Sequence, residues 1–181
     1  MNLIKVETKE QSKLFIKFHN SLYKNNSYWI RPIDKEVEDV FNHKKNNHFT
    51  NSNCIRWILK KENKIIGRIA AFINPNSSHL DKQQPTGGIG FFDCVDNQDA
   101  ANILFEASKK WLIEKGMKAM DGPINLGERD KWWGLLTKGF DQEPNYQCNY
   151  NFSYYKELFE NYGFKNYFDQ YTFIRNVLDP I

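Results

Sequence analysis

The sequence predicts an α/β domain in which helices are layered on a sheet, and three observations at its centre support this. Residues 88–95 are rich in aromatic and β-branched side chains and lie between two turn-forming clusters, which is typical of a strand. From Asp99 onward the apolar residues recur at intervals of three, four and seven, and Gly116 follows the last of them, which indicates a helix. Residues 118–124 have the composition of a second strand. A strand, a helix and a strand joined by such short connections predict a helix packed on a sheet.

The flanking segments complete an order of elements that resembles the GCN5-related N-acetyltransferase (GNAT) superfamily, which has the acyl-CoA N-acyltransferase fold. The segments similar to elements of that superfamily are, in chain order, a strand at 2–7, a helix at 9–24, strands at 54–60 and 64–73, the central unit, a helix at 154–162 closed by Gly163-Phe164, and a strand at 167–177. The side chains on one face of the helix at 9–24 are Leu14, Phe15, Phe18 and Leu22. The resemblance covers almost the whole chain and implies a mixed sheet of about six strands flanked by helices.

The most specific pieces of this resemblance are Gly67-Arg68-Ile69-Ala70-Ala71 and the run from Gly122 to Tyr155. They are similar to a bacterial branch of the superfamily in which longer chains carry a second domain. Residues 1–181 are therefore expected to form one GNAT-like domain, either alone or as the N-terminal half of a two-domain protein. The chain stops soon after the sixth predicted strand, so we expect that second domain, or a second copy in a homodimer, to cover the open sheet edge.

In that superfamily, the loop after the fourth strand binds the coenzyme A pyrophosphate through backbone N–H groups that glycines leave accessible at a helix N-terminus. The resemblance places Asp96 at a Gln/Arg position, Asp99 at the first glycine position and Ala101 at the second, and only Ala101 fits. The cofactor-binding residues that it implies are Cys94, Val95, Asn97, Asp99, Ala100, Ala101 and Asn102. Two carboxylates close to a pyrophosphate would repel it by about 1 kcal/mol per pair in water. The alternative is that Asp99 caps the helix and Asp96 turns the chain.

The resemblance also implies a catalytic pair. The usual general acid is a tyrosine four residues before the closing Gly-Phe, but that position is Phe159 in this chain, and phenylalanine has no proton to donate. Tyr155, one helical turn earlier, is the replacement acid, and Asp93 at the end of the fourth strand is the candidate base. The alternatives are that Tyr155 is a core aromatic residue and that Asp93 is a satisfied edge or turn residue.

The connection from Leu126 to Asn149 is too long for a simple connector and too aromatic to be disordered. Arg129 is the candidate that binds an anionic group of a substrate, and Trp132 and Trp133 are candidate stacking faces of a small-molecule pocket. Residues 132–136 have the composition of one or two helical turns. The alternative is a packed Ω-like loop whose tryptophans cover the sheet.

Composition and charge limit the classes of partner that the chain is expected to bind. The chain has 181 residues, of which 40% are hydrophobic, and a net charge of +3. This suffices for one substantial core, and the lysines are mixed with acids, so we do not expect binding to nucleic acid. The four histidines and three cysteines have no metal-ligand spacing, so no metal site is predicted. Three free cysteines indicate a cytoplasmic protein, and the longest apolar run, residues 65–73, contains Arg68 and is too short to span a membrane.

Two functions of different classes follow from these residues. The first is a non-catalytic domain, a binding or structural half that needs no cofactor, and it explains the missing glycines and Phe159 together. The second is an N-acyltransferase that transfers an acyl group from acetyl-CoA or another acyl-CoA to an unknown small-molecule amine, and it rests on the resemblance in fold.

Overall fold

The protein is described by a computed structural model that covers residues 1–50, 53–74, 84–127 and 131–178. The elements are β1 (Asn2–Lys5), α1 (Lys9–Tyr23), α2 (Asp34–Val40), β2 (Cys54–Lys61), β3 (Lys64–Phe72), β4 (Thr86–Cys94), α3 (Gln98–Glu114), β5 (Ala119–Asp121) and α4 (Tyr155–Tyr162). The strands form one sheet in the order β1-β2-β3-β4-β5, and every pair is antiparallel except β4 with β5. The predicted mixed sheet with flanking helices is confirmed, with five strands in the described residues.

The sixth strand predicted at 167–177 is wrong for this chain. These residues have no regular secondary structure, and their side chains are exposed, with Tyr167 at 93% and Val177 at 94%. A strand is stable only when a neighbour satisfies its backbone N–H and C=O groups, and residues 167–177 pair with no strand of the described residues.

Smaller corrections concern the ends of elements. The strand predicted at 118–124 covers only Ala119–Asp121, because proline at 123 has no N–H to continue a ladder. The segment 132–136 contains no helical turn, and the short helix α2 was not predicted. On α1, Leu14 is 38% exposed although the sequence placed it on the apolar face, whereas Phe15 and Phe18 are buried as predicted.

The first turn of α3 begins at a different cap from the predicted one. Asn97, in an extended conformation, is the N-cap, and its side-chain oxygen accepts a hydrogen bond from the N–H of Ala100 at 2.8 Å. Asp99 is the second residue of the helix and is exposed. Both residue types are good caps, and the sequence does not reveal which of the two has the extended backbone that a cap requires.

The two faces of the sheet carry different cores. On one face, α3 and α4 pack through aromatic rings, among them Phe92 stacked on Phe105 with ring centroids 4.8 Å apart and Phe159 edge-on to both. On the other face, α1 and α2 cover a smaller core around Phe15. Side chains alternate along β4, so Phe92 faces α3 while Asp93 faces α1. This alternation places a carboxylate under the first helix.

The segment after β5 packs directly against the middle of β4. The N–H of Ile124 donates to the carbonyl of Ile89 at 2.8 Å, and a Cβ at Gly90 would overlap the carbonyl oxygen of Ile124. Glycine is therefore required at position 90 for this close approach. Next to it, Phe91 has a positive φ of 51°, and the pairing of β3 with β4 shifts register here, which marks a β-bulge. Both features lie beside the candidate site described below.

Within the described residues, the helices are too short or too polar for any of them to cross a lipid bilayer.

We expect Asn97→Ala to lower the free energy of unfolding by about 1 kcal/mol, because it removes the cap of α3. Asn97→Asp keeps a side-chain acceptor and is expected to retain most of the stability. Urea denaturation followed by circular dichroism measures both. If Asp99→Ala costs more than Asn97→Ala, the cap assignment is incorrect.

Candidate functional site

A gap opens between β4 and β5 where the two parallel strands separate. Their pairing ends at Gly88 opposite Asp121, and beyond Ile89 no described strand continues along this edge of β4. Two tyrosines of the α4 region bind the exposed edge. The hydroxyl of Tyr155 accepts from the N–H of Cys94 at 3.0 Å, and the hydroxyl of Tyr154 donates to the Cys94 carbonyl at 2.8 Å. The end of β4 is therefore held by side chains where a neighbouring strand would otherwise lie.

A buried ion pair forms the centre of the site. Arg68 on β3 and Asp93 on β4 are directly opposite each other in the sheet, and they are 4% and 3% exposed. The Arg68 Nε donates to Asp93 Oδ2 at 2.6 Å, and its Nη1 donates to the carbonyl of Phe15 on α1 at 2.8 Å. The guanidinium also lies 4.8 Å from the centroid of the Phe15 ring. The pair thus ties two strands to the first helix.

The remaining acceptor capacity of Asp93 is used by two more side chains. His19 Nδ1 lies 2.9 Å from Asp93 Oδ2, and the Tyr155 hydroxyl donates to Oδ1 at 3.2 Å. The hydroxyl of Tyr23 in turn donates to that of Tyr155 at 3.1 Å. A carboxylate with three donors is well compensated for the loss of water. This arrangement fixes the ring of His19 as well as the hydroxyl of Tyr155.

The tautomer of the neutral His19 ring follows from the two neighbours of the ring. The indole Nε1 of Trp29, which can only donate, lies 3.3 Å from His19 Nε2. Nε2 is therefore an acceptor, and the proton of the neutral ring is on Nδ1, where it is donated to Asp93. The bond to Trp29 is at the long end for a hydrogen bond, so another donor can replace it. The result is an oriented imidazole whose Nε2 faces the indole N–H of Trp29.

Burial and charge set the acidities of the two predicted catalytic residues. Burial on its own would raise the pKa of Asp93, but His19 and Arg68 outweigh it and hold this pKa below its ordinary value. Burial, reinforced by Tyr23 and Asp93, raises the pKa of Tyr155 well above its ordinary value. A carboxylate with a lowered pKa is a weak base, and a phenol with a raised pKa is a weak acid. Neither predicted catalytic residue is therefore tuned for proton transfer in this arrangement.

A cavity of about 60 Å³ lies next to this cluster, with room for about four water molecules. Its lining combines polar groups with aromatic and aliphatic ones, namely Ile16, His19, Asn20, Pro32, Asp34, Val37, Arg68, Phe91, Phe92, Asp93, Pro123, Trp132, Gly134, Leu135, Asn149, Tyr150, Asn151 and Tyr155. The volume suits the reacting end of a substrate, such as an amine with its adjacent carbons, and the rest of a larger molecule would extend outward.

The cavity wall contains strained backbone. Four non-glycine residues in the described chain have a positive φ, and two of them, Phe91 and Trp132, line the cavity with their rings 5.9 Å apart. A third, Gln147, accepts the N–H of Trp132 on its carbonyl at 2.7 Å and donates from its side chain to Glu36 of α2 at 3.1 Å. Bulky residues in this conformation cost energy and cluster at functional sites. The strain therefore points to this wall as a binding surface.

The predicted cofactor turn lies at the end of the gap, but its side chains serve the fold. Ala100 and Ala101 are fully buried against the core, and Asn102 accepts from Gln98 at 2.9 Å. The Val95 N–H donates to Ile66 at 2.9 Å, and burial raises the pKa of the Cys94 thiol to about 12, so that thiol is inert. In the first helical turn, the N–H of Ala100 donates to the Asn97 side chain and that of Ala101 to the Asn97 carbonyl, so the N–H groups of Gln98 and Asp99 are those that remain for an anion.

Those N–H groups have acidic neighbours. Asp96 and Asp99 are both exposed beside the start of α3, and the helix has no glycine there. The turn therefore does not fit a pyrophosphate well, because the two carboxylates compete with an anion for the positive end of the helix.

The structure brings only some of the other predicted site residues together. Asp93 and Tyr155 are in contact, and Trp132 lines the same cavity. Trp133 is half-buried and is not part of the cavity lining, and Arg129 lies outside the described residues. Phe159, at the position of the usual acid, is buried in the aromatic core. No group of three metal-ligating side chains occurs in the described parts of the chain.

Sequence reasoning missed His19 and gave Arg68 no role in the site. Arg68 interrupts an otherwise apolar strand, and a charge in a buried strand requires a partner on a neighbouring strand, which is a signal for Asp93. His19 is four residues after Phe15 and so shares its buried helical face. That spacing placed it inward, but nothing in the sequence indicated what it would contact.

Two curated proteins are similar in sequence. The chain is 30% identical to Protein YghO of Escherichia coli over 164 residues. The aligned region covers 86% of this chain and 39% of that protein. The chain is 28% identical to the bacterial ceramide synthase of Caulobacter vibrioides over 144 residues. The aligned region covers 80% of this chain and 37% of that protein. The chain thus spans about two fifths of the length of these relatives. No family model matches the chain.

Solved structures similar to the chain are acetyltransferases. The aminoglycoside acetyltransferase AAC(6')-Iy with a bisubstrate analog has a TM-score of 0.56 at 12% identity, over 97% of this chain and 99% of that one. A predicted acetyltransferase of Clostridium acetobutylicum with acetyl-CoA has a TM-score of 0.55 at 18% identity, over 96% of this chain and 95% of that one. Glucosamine-6-phosphate N-acetyltransferase of Arabidopsis thaliana has a TM-score of 0.54 at 12% identity, over 97% of this chain and 100% of that one. The chain has the GNAT acyltransferase fold, as its sequence predicted.

We expect Arg68→Met to lower the free energy of unfolding by about 3–5 kcal/mol, because it leaves the Asp93 charge buried without its main partner. The double variant Arg68→Met/Asp93→Leu is expected to recover much of this loss, since it removes both charges together. Urea denaturation of the two single variants and the double variant measures the coupling. Strictly additive losses would show that the two side chains do not depend on each other.

Proposed function

We propose that the chain is the acyl-transfer part of a longer N-acyltransferase, in which His19 removes a proton from an attacking amine. The observation that carries this proposal is the buried cluster of His19, Asp93 and Arg68 beside a cavity. The cluster is costly to bury and is far more elaborate than packing requires. The GNAT fold supports acyl transfer by analogy, and the named ceramide synthase among the relatives supports amide formation.

The residues divide the work as follows. Asp93, kept ionised by Arg68, orients the imidazole and stabilises the positive charge that His19 gains when it accepts a proton on Nε2. The amine nitrogen attacks the thioester carbonyl, the C–N bond forms and the C–S bond breaks. The departing thiolate takes up the proton that His19 accepted from the amine, so that a thiol leaves and the neutral imidazole is restored. Tyr155 has a raised pKa and holds both Asp93 and β4, so its part in this proposal is positioning. Asp93 likewise acts through His19.

The donor is an acyl thioester, and we propose an acyl-CoA as its most direct candidate. Because the turn at 96–99 does not fit a pyrophosphate well, we derive no step from contacts there. Weak binding of the nucleotide to this chain alone follows from its two carboxylates. Residues from the rest of a longer protein would then supply further phosphate contacts.

The acceptor is proposed to be a primary amine on a long-chain lipid. A ceramide is the amide of a fatty acid and a long-chain amino alcohol, which is the chemistry that the name of the Caulobacter relative implies. The cavity admits the amine end, and the rings of Phe91 and Trp132 provide an apolar wall for the adjacent carbons.

A binding or structural half without catalysis is the second candidate. The observation that favours it is the use of the tyrosine hydroxyls at Cys94, which occupy the β4 edge in the gap. It also explains the acidic turn and Phe159 without further assumptions. The experiments that follow separate the two candidates.

We expect the purified chain to form an N-acyl product from an acyl-CoA and a long-chain amino alcohol, and His19→Gln to slow this reaction by a factor of about 10²–10⁴. Mass spectrometry of the amide product measures the rate. His43→Gln, at an exposed histidine on the connector after α2, is the matched control. Absence of product from the unmodified chain, or equal rates for the His19 and control variants, would leave the binding half as the better account.

We expect Asp96→Asn/Asp99→Asn to tighten coenzyme A binding by about fivefold for each charge removed, because each carboxylate repels the pyrophosphate by about 1 kcal/mol in water. The shift in melting temperature with added coenzyme A measures this without any turnover. The Glu114→Gln variant, at the far end of α3, controls for general charge effects. An unchanged shift in the double variant would place the nucleotide away from this turn.

A further inference from the structure

The guanidinium of Arg68 has donors that the fold does not use. An arginine side chain carries five N–H groups. In Arg68, Nε donates to Asp93 and Nη1 donates to the carbonyl of Phe15, at 2.6 and 2.8 Å. No described residue accepts a hydrogen bond from Nη2. The two N–H groups of Nη2 therefore have no acceptor in the described protein, although the side chain is only 4% exposed.

These N–H groups face the cavity beside the polar cluster. Among the described residues, the one fully enclosed side-chain polar atom without a partner is Asn125 Oδ1, so Nη2 of Arg68 keeps some accessible surface. Because Arg68 is almost fully buried and lines the cavity, we assign that surface to the cavity wall. A buried donor without an acceptor costs about 1–3 kcal/mol, and an oxygen atom that enters the cavity would remove this cost.

The charges on the cavity wall favour a carbonyl oxygen over a free anion. The charged side chains that line the cavity in the described chain are Arg68, Asp34 and Asp93. Asp93 is paired with Arg68 and Asp34 with Arg31, both at 2.6 Å. The described lining therefore contains no unpaired cation that would attract a phosphate or a carboxylate, whereas free N–H groups suit the oxygen of a carbonyl.

Arg68 and His19 are held beside each other by a single oxygen atom. Arg68 Nε and His19 Nδ1 both contact Asp93 Oδ2, at 2.6 and 2.9 Å, and both side chains line the same cavity. In the reaction proposed above, the carbonyl oxygen of the thioester gains negative charge while His19 accepts the proton of the amine. Donors that are already in place where this charge develops stabilise the transition state.

We propose that Nη2 of Arg68 binds the carbonyl oxygen of the thioester and stabilises the charge that develops on it, so that Arg68 is a catalytic residue. This inference rests on the proposed function. As the amine nitrogen bonds to the carbonyl carbon, the electron pair of the C=O π bond moves to the oxygen, which accepts from Nη2. When the C–S bond breaks, that pair re-forms the C=O bond and the sulfur leaves with its bonding pair. The guanidinium neither gains nor loses a proton.

Arg68→Lys tests this role while it keeps the positive charge. Lysine can still pair with Asp93 but has no Nη2, so we expect kcat for amide formation to fall by a factor of about 10²–10³. KM for the amine is expected to change by less than about threefold, because the amine does not contact Nη2. Mass spectrometry of the amide product measures both constants, and urea denaturation shows whether the variant is folded.

Arg56→Lys is the matched control. The guanidinium of Arg56 on β2 also lies over the ring of Phe15, 5.4 Å from its centroid, but it donates to Ser12 and does not line the cavity. We expect this variant to keep the kcat of the unmodified chain. An equal loss of kcat in the two lysine variants would show that arginine at position 68 serves the packing and not the reaction.

A binding measurement on the unmodified chain requires neither turnover nor a variant. The probe is N-acetylethanolamine, a short amide, at about 100 mM because a fragment of this size binds weakly. We expect the NMR signals of the guanidinium N–H groups of Arg68 to shift and those of Arg56 to stay unchanged. Acetate at the same concentration is expected to shift the Arg68 signals less, since the described lining has no unpaired cation.

The outcomes separate this proposal from the proposed function. If His19→Gln is slow but a folded Arg68→Lys keeps the full kcat, His19 remains the proton acceptor and the role of Arg68 is wrong. If the Arg68 signals do not move with the amide, or move only with acetate, Nη2 does not bind a carbonyl oxygen, whether or not the chain forms product. This measurement decides if Arg68→Lys does not fold. A shift with the amide in a chain that forms no product would support the carbonyl contact and contradict the proposed function.

Discussion

The buried pair of Arg68 and Asp93 is the interaction on which the rest of this structure depends. It joins the central strands at the point where β4 bulges, and through the carbonyl of Phe15 it fixes the height of the first helix above the sheet. Two charges in such a place are tolerated because Asp93 bonds to His19 and Tyr155 as well as to Arg68, and Arg68 also donates to a main-chain carbonyl. His19 and Tyr155 are therefore positioned by the need to satisfy the charge of Asp93. The candidate site results from this electrostatic requirement.

That requirement also shapes the gap between β4 and β5. Tyr155 satisfies Asp93 and, with the same hydroxyl, the free N–H at the end of β4, so the polar cluster and the sheet edge are one network. On the opposite wall, the strained residues Phe91 and Trp132 are held by the contact of Gln147 with α2. Strain is retained when the surroundings hold it on several sides, which is the condition for a preorganised pocket. The protein thus combines a preorganised polar cluster around Asp93 with an acidic turn before α3 that fits an anion poorly.

This imbalance agrees with a chain that spans about two fifths of the length of its curated relatives. The exposed segment 167–178 forms no strand among the described residues, and the acidic turn before α3 has N–H donors without the glycines that would let them close on an anion.

The sequence by itself determined the layered fold and the positions of most elements, because periodicity, turn residues and the closing Gly163 act locally. It also determined that Asp93 points away from Phe92, since side chains alternate on a strand. The tertiary structure alone decided that Asn97 caps α3, that residues 167–177 form no strand and that His19 is the group beside Asp93. Each of these depends on the rest of the fold. The cap requires an extended backbone, a strand requires a neighbouring edge, and His19 requires a buried charge to contact. His19 and Asp93 are 74 residues apart, and only the packing of α1 on the sheet brings an imidazole to a carboxylate that has already been neutralised by Arg68.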